Sequence, residues 1–364
     1  MRGHRRPMPR SACTRPFIAC TSAVSARPPI PEHAGMHVPS CPCATLPTRA
    51  HMAASNYKNF WDDKASTRTG AFIAVDGSAN EEVARLTGAY TARQVAAALA
   101  LQPTDRVLEL GCGVGRIGRE LAPRVAHWEG ADISANMLGV ARERLAGLGN
   151  VGLTELRRSR FDTLADASFD KAYCVAVFIH MDKEDVLLYL EDLARVLVPG
   201  GLLFFDTWNL AHPVGWRRFM LEVGQHRNAD PSQRKDVARN QFSCPEEVRL
   251  FLDHCGFELL AQHGDSPWVQ SVAMKRGGSR DAAAERARLQ RDAARIAYTP
   301  LWTELFDAMI RVTGEGLPPE AMTDALGDDA RGEEIAMFRV WYRELWRHNE
   351  AHWGPMPAAL QADR

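Results

Sequence analysis

Between Arg106 and Gly118 the chain reads RVLELGCGVGRIG, an apolar run that breaks into glycines and then into a helical pattern. Glycines let a backbone turn tightly and approach a ligand, and a helix opening just behind them presents unbonded amides. Two spacings overlap in this stretch. Gly111, Gly113 and Gly115 make G-x-G-x-G, whereas Gly113, Gly115 and Gly118 make the G-x-G-x-x-G of dinucleotide sites. Glu109 separates them. Counted from Gly113 it is a carboxylate inside a buried parallel strand with no task, which is costly. Counted from Gly111 it lies at the strand's end, where it can face a cationic ligand or bond the loop amides, so the first frame is preferred. Asp132 closes the next strand about seventeen residues beyond Gly115, where an acid can accept both hydroxyls of a ribose. That suits an adenosyl or a nicotinamide nucleotide alike. S-adenosylmethionine carries no phosphate and calls for no Lys or Arg; Arg116 is the residue that keeps a dinucleotide open.

The elements needed to position these groups follow from the pattern. RVLEL, HWEGADI, FDKAYCVAVF and GGLLFFDTW read as strands, with GRELAPRV, ANMLGVARERLAGL and KEDVLLYLEDLARVL as helices between them. This alternation is the mark of a parallel sheet covered on both faces. Upstream, Tyr57, Phe60 and Trp61 are aromatic anchors. NEEVARLTG reads as a helix closed by Gly88, and Thr91 as the cap of a second helix reaching Leu101. Residues 1–51 are Arg-, Pro- and Ser-rich with Glu32 the lone acid, and read as a disordered leader, either a targeting segment or an upstream start ahead of Met36 or Met52.

Four blocks, VLELGCGVGRIG, GADISANML, SFDKAYCVAVFIHM and LVPGGLLFFDTW, stand in an order and spacing that resembles class I S-adenosylmethionine-dependent methyltransferases of the small-molecule type. The resemblance covers roughly Thr91 to Trp208 and continues more loosely through FSCPEEVRLFLDHCGFELL. It implies an α/β, Rossmann-like, doubly wound and mostly parallel seven-stranded sheet, its last strand antiparallel, with S-adenosylmethionine at the carboxyl ends of the strands. It also implies that Glu109, Gly111, Gly113 and Gly115 surround the methionyl part, that Asp132 holds the ribose, and that Ile133 and Met137 lie beside the adenine. Where the family often places an acid against the adenine amino group, this chain reads RRSRFDTL, and Asp162 with Phe161 packed nearby is the expected substitute.

Methyl transfer from a sulfonium is an in-line displacement whose leaving group, a neutral thioether, needs no proton, so positioning and water exclusion carry most of the catalysis. A base is needed only if the acceptor must lose a proton. His180, just after the FDKAYCVAVF strand, and Asp206, after GGLLFF, are the candidates; packing for the first and capping for the second are the structural alternatives. Asp206, Thr207, Trp208 and Asn209 form a polar run expected at the rim. Residues about 211–241 form a long connection, expected as one helix and a mobile, lid-like loop. Its bases Arg217, Arg218, Arg227, Arg234, Lys235 and Arg239 read as a solvated face or an attraction for an anionic acceptor. Beyond the domain assigned to 52–276, residues 277–364 read as a helical extension. DAAAERARLQRDAARIA is an exposed, charge-laced helix, and EEIAMFRVWYRELWRHNEAHWG an amphipathic one with Ile335, Phe338, Trp341, Tyr342 and Leu345 on one side. An added helical layer, a pocket wall and a homodimer contact are its three readings.

Of the 364 residues 46% are hydrophobic and the formal net charge is −1. That supports a real core and disfavours a globally basic nucleic-acid binder. No Asn-Pro-Pro-aromatic run stands where CVAVFIHM does, and no apolar run suits a membrane span. Eight cysteines without a C-x-x-C pair favour neither zinc nor a disulfide framework, and imply reduced thiols and a cytoplasmic setting. The expectation is therefore a methyltransferase acting on an O, N or C atom of a small molecule. The alternatives are an NAD(P)-dependent oxidoreductase and a non-catalytic, partner-binding member of the fold.

Overall fold

β1 (Arg106–Leu110), β2 (His127–Asp132), β4 (Phe169–Cys174) and β5 (Leu197–Asn209) form the middle of a sheet ordered β3-β2-β1-β4-β5-β8-β7. β3 is Val151–Glu155, β7 Phe257–His263 and β8 Trp268–Lys275, and β6, the two residues Phe242–Ser243, pairs with the end of β5. All pairings are parallel except those of β8, which runs antiparallel between β5 and β7. The computed structural model describes residues 56–157, 159–230, 240–327 and 332–361, and the leader assigned to 1–51 lies outside them.

Alternation of side chains sorts the strands onto two cores. Val107, Tyr173, Leu202 and Phe204 face α3 (Glu81–Leu99), α5 (Ala135–Arg144) and α9 (Ala282–Ile296). Leu108, Ala172, Cys174, Leu203 and Phe205 face α6 (Lys183–Val196) and α8 (Pro245–His254). Both faces are covered, which is why these strands read as continuous apolar runs.

Three local expectations change. Gly88 and Thr91 do not end one helix and begin another, because α3 runs through both. A Cβ on Gly88 would lie 2.7 Å from the backbone oxygen of Arg116, so this glycine admits the glycine loop against the helix. β4 stops at Cys174 rather than continuing to Phe178, since Ala176 takes a left-handed φ of 57° and turns the chain into a short 3-10 segment, Phe178–His180. The charge-laced α9 is only half exposed: Leu289 and Ile296 are fully enclosed against α3 and β7.

The C-terminal helices α10 (Pro300–Ile310), α11 (Glu320–Leu326), α12 (Glu333–Trp353) and α13 (Ala358–Gln361) share a third core with the carboxyl ends of the sheet. Ile335, Phe338, Tyr342 and Trp346 of α12 pack in it with Trp208 of β5 and Trp268 of β8. The aromatic face of α12, for which an added helical layer, a pocket wall and a dimer contact were the three readings, packs inside the chain. The expected lid region gives α7 (Pro213–His226), while Arg234, Lys235 and Arg239 lie outside the described residues. Among the described residues no helix is long and apolar enough to cross a membrane.

Candidate active site

A cavity of about 550 Å³ opens at the carboxyl ends of β1, β2, β4 and β5, where an open α/β sheet places its ligands. β1 delivers Glu109 and then the loop. Gly111 has φ 72°, and a Cβ there would lie 2.3 Å from Val177 Cγ2, so only glycine lets the post-β4 turn close over the loop. Gly113 lines the cavity with its N–H donated to Asp132 at 2.8 Å. Gly115, also expected around the ligand, does not line it. A Cβ on Gly115 would meet Leu145 Cδ1 at 3.0 Å, so its task is close packing against the end of α5.

The two acids differ in support. Asp132 accepts from the amides of Gly113 and Ser134, both at 2.8 Å. Burial pushes its pKa up, and these backbone donors oppose the shift. A carboxylate has about four acceptor sites, so Asp132 retains capacity for a ligand diol. Glu109 accepts from the Tyr173 hydroxyl at 2.5 Å, which itself accepts from Trp128 Nε1 at 2.9 Å. Burial raises its pKa to about 8, against the Tyr173 bond and the nearby Arg116 charge. It faces the cavity rather than the loop amides.

Ile133 and Met137 line the cavity beyond Asp132, but Phe161 and Asp162 do not. Phe161 is fully enclosed in the α6-side core, its N–H donated to Asp192 at 2.5 Å, and Asp162 is exposed on the surface. Leu156 and Ser159 stand there instead, Ser159 donating to Asp185 at 2.5 Å, with Tyr189 beside them. The expectation failed because RRSRFDTL has no strand or helix period, and only the fold shows which way each residue points.

Side chains missed by sequence reasoning come from the first helices. α1 (Asn56–Lys64) brings Tyr57 and Trp61 to the cavity, and α2 (Arg68–Asp76) brings Val75 and Asp76. α1 is tied down by Asp62, which accepts from Ser134 Oγ at 2.7 Å, and by Lys58, paired with Glu155 at 2.8 Å. The aromatic anchors Tyr57 and Trp61 were the available signal. Arg116 is enclosed, contacting Asp76 at 3.5 Å and Thr91 Oγ1 at 3.4 Å.

At the other side, β5 alternation decides its polar run. Asp206 and Trp208 face the cavity; Thr207 and Asn209 point away, Asn209 bonding the carbonyls of Gly264 and Ser266. Asp206 is 1% exposed and accepts from the Ala176 amide at 2.7 Å, a donor aimed by that residue's left-handed φ. Burial lifts its pKa to about 7. His180 packs edge-on to Trp61, ring centres 5.0 Å apart, and its Nδ1 is buried without a partner. Burial lowers its pKa to about 4.

These residues fit S-adenosylmethionine. The glycine cradle leaves no room for a Cβ at Gly111, Glu109 and Asp132 face the space beside it, and no Lys lines the cavity among the described residues. Of its two arginines, Arg116 contacts Asp76 and Arg218 pairs with Glu222. Such a site suits a sulfonium and a ribose better than a pyrophosphate.

Comparison with known proteins agrees. The family described as "Methyltransferase domain" matches residues 107–201. A ubiquinone biosynthesis O-methyltransferase of Hahella chejuensis is 38% identical over 110 residues, covering 29% of this chain and 44% of that protein. Methyltransferase GfsG of Streptomyces halstedii is 39% identical over 101 residues, 27% of this chain and 36% of that protein. O-methyltransferase cnsE of Penicillium expansum is 28% identical over 174 residues, 45% and 62% respectively. The chain thus spans less than half the length of the first two relatives. Motif, strand order and family match coincide on one segment, and residues 107–201 of the chain are similar to the methyltransferase domain that these relatives share.

Proposed function

We propose that the chain is an S-adenosylmethionine-dependent methyltransferase acting on an oxygen, nitrogen or carbon atom of a small molecule. The observation that carries this is the meeting of the Glu109–Asp132 pair and Asp206 in one cavity across the glycine loop. Glu109, Gly111, Gly113 and Asp132 would hold the methionyl and ribose parts, and Ile133, Met137, Leu156 and Ser159 the adenine. When bound, S-adenosylmethionine supplies an electrophilic methyl group whose departing sulfur needs no proton. This chain's residues then have two tasks, to align the acceptor and to manage its proton. Asp206 is the better base: its pKa of about 7 leaves a useful fraction ionised at neutral pH, and its amide donor holds the carboxyl in place. His180, with a pKa of about 4 and no facing carboxylate bonded to it, acts as a neutral ring that positions and excludes water. The relatives' O-methyltransferase names support an oxygen acceptor. The four described cysteines are free thiols, which supports a cytoplasmic setting.

Calorimetric titration of the full chain with S-adenosylmethionine and, separately, NADH tests this reading. Micromolar binding of the first alone is the expected result. Binding of NADH alone would restore the dinucleotide frame, and binding of neither would favour a partner-binding member of the fold.

A further inference from the structure

The matched domain ends at residue 201, yet one wall of the cavity is built well beyond it. Trp302, Phe306 and Met309 of α10, together with Met337, Trp341 and Leu345 of α12, line it. Aromatic rings run without a break from the sheet into this wall. Trp208 stacks on Trp268 at 4.5 Å, Trp268 lies 6.4 Å from Tyr298, Tyr298 stacks on Trp302 at 4.0 Å, and Trp302 on Phe306 at 4.7 Å. The series starts two residues after Asp206. Tyr298 is near enough to Asp206 and Arg116 for both charges to act on its hydroxyl.

The wall is held firmly against the sheet. Tyr90 of α3 donates to Glu334 at 2.6 Å, Thr299 Oγ1 donates to the same carboxylate, and Arg93 pairs with Glu333. Arg217 of α7 bridges Asp307 and Glu315, each at 3.1 Å. Gln94 and Gln270 both donate to the Ile296 carbonyl, fixing the approach to α10. A surface so braced is pre-organised, and a wall of aromatic rings beside unbranched methionines takes flat apolar bodies. A hydrophilic acceptor pressed against it would leave its own polar groups unpaired.

We propose, resting on the methyltransferase reading, that the acceptor is a flat, largely apolar phenol whose hydroxyl faces Asp206 and whose rings lie against Trp302, Phe306 and Met337. The C-terminal helices are then the specificity-determining wall. In the implied step the acceptor O–H proton passes to Asp206 and an oxygen lone pair forms the O–CH3 bond. The electron pair of the broken C–S bond stays on sulfur.

The test loads the full chain with S-adenosylhomocysteine and titrates it calorimetrically with 2-naphthol, cyclohexanol and 1,3-propanediol. The naphthol is expected to bind at least about tenfold more tightly than cyclohexanol, and the diol more weakly than either. Trp302→Ala and the milder Phe306→Leu are each expected to weaken naphthol binding by about fivefold or more, with S-adenosylhomocysteine affinity within about twofold of the parent. Retained S-adenosylhomocysteine binding also reports that each variant is folded. Equal affinity for naphthol and cyclohexanol overturns the acceptor assignment and leaves the methyltransferase reading standing. So does naphthol binding untouched by both variants. Failure of the parent chain to bind S-adenosylhomocysteine overturns both.

Discussion

Asp132, Glu109 and Asp206 are three buried acids held by three different devices, and each makes its own prediction. Asp132 is supported by loop amides and keeps free acceptor capacity. Asp132→Ala is expected to weaken S-adenosylmethionine binding by ~1.5–3 kcal/mol, measured by calorimetry, because charge-assisted hydrogen bonds are lost. Asp206→Asn is expected to lower kcat by about 10²–10⁴ with little change in cofactor affinity, whereas His180→Gln costs less than about tenfold. The parent rate should rise with pH and level off above about 7, where Asp206 is ionised; a flat profile would remove Asp206 as the base. Glu109 carries a stability signature. Its folded pKa of about 8 exceeds the ordinary 4.5, so the folded state keeps a proton that the unfolded chain has released between those values. Stability contributed by this group therefore falls as pH rises through that window. Glu109→Gln can still accept from Tyr173, and urea unfolding at pH 6 and pH 9 should show a smaller decline than in the parent.

At the scale of elements, the loop works because neighbours are shaped around it. Gly88 sits in the interior of α3, where alanine is ordinarily favoured by about 1 kcal/mol. The 2.7 Å approach of the Arg116 oxygen reverses that sign. Gly88→Ala is expected to destabilise by about 1–3 kcal/mol, the usual cost of overpacking, and to weaken cofactor binding as the loop shifts. Denaturant unfolding with and without S-adenosylmethionine checks both effects. A stabilised variant would mean that the loop does not rest on α3. The Ala176 turn is the matching device on the other side. Its left-handed backbone ends β4, aims an amide at Asp206 and brings Val177 over Gly111. Strain of this kind collects where a site demands a particular geometry.

Across the whole molecule, residues 53–364 form one compact unit in which the C-terminal layer completes the cavity. Phe338 is fully enclosed between Trp302 and Tyr342. Phe338→Ala is expected to cost about 3–5 kcal/mol of stability by denaturant unfolding. Since Trp208 and Trp268 share that core, near-ultraviolet dichroism of the cavity tryptophans should change as well. A loss confined to the last helices, with those tryptophans undisturbed, would show that the layer is not coupled to the sheet.

The sequence by itself determined the parallel sheet, the glycine turn after β1 and the acid that closes β2. Each rests on short-range physics: apolar runs of strand length, glycines where no Cβ fits, and an acid at a strand's end. Glu109 showed its frame through the cost of burying a carboxylate, a local argument that needs no partner. Other features depend on residues far apart in the chain, and only the tertiary structure decided them. Gly88 resembled a helix cap until Arg116, 28 residues later, was seen against it. Phe161 and Asp162 lay in an aperiodic block whose side-chain directions are set by the packing of α6. The helices after residue 277 showed an apolar face without showing what it covers. Burial is a property of two surfaces, and the second surface, the carboxyl edge of β5 and β8, is brought to them only by the fold.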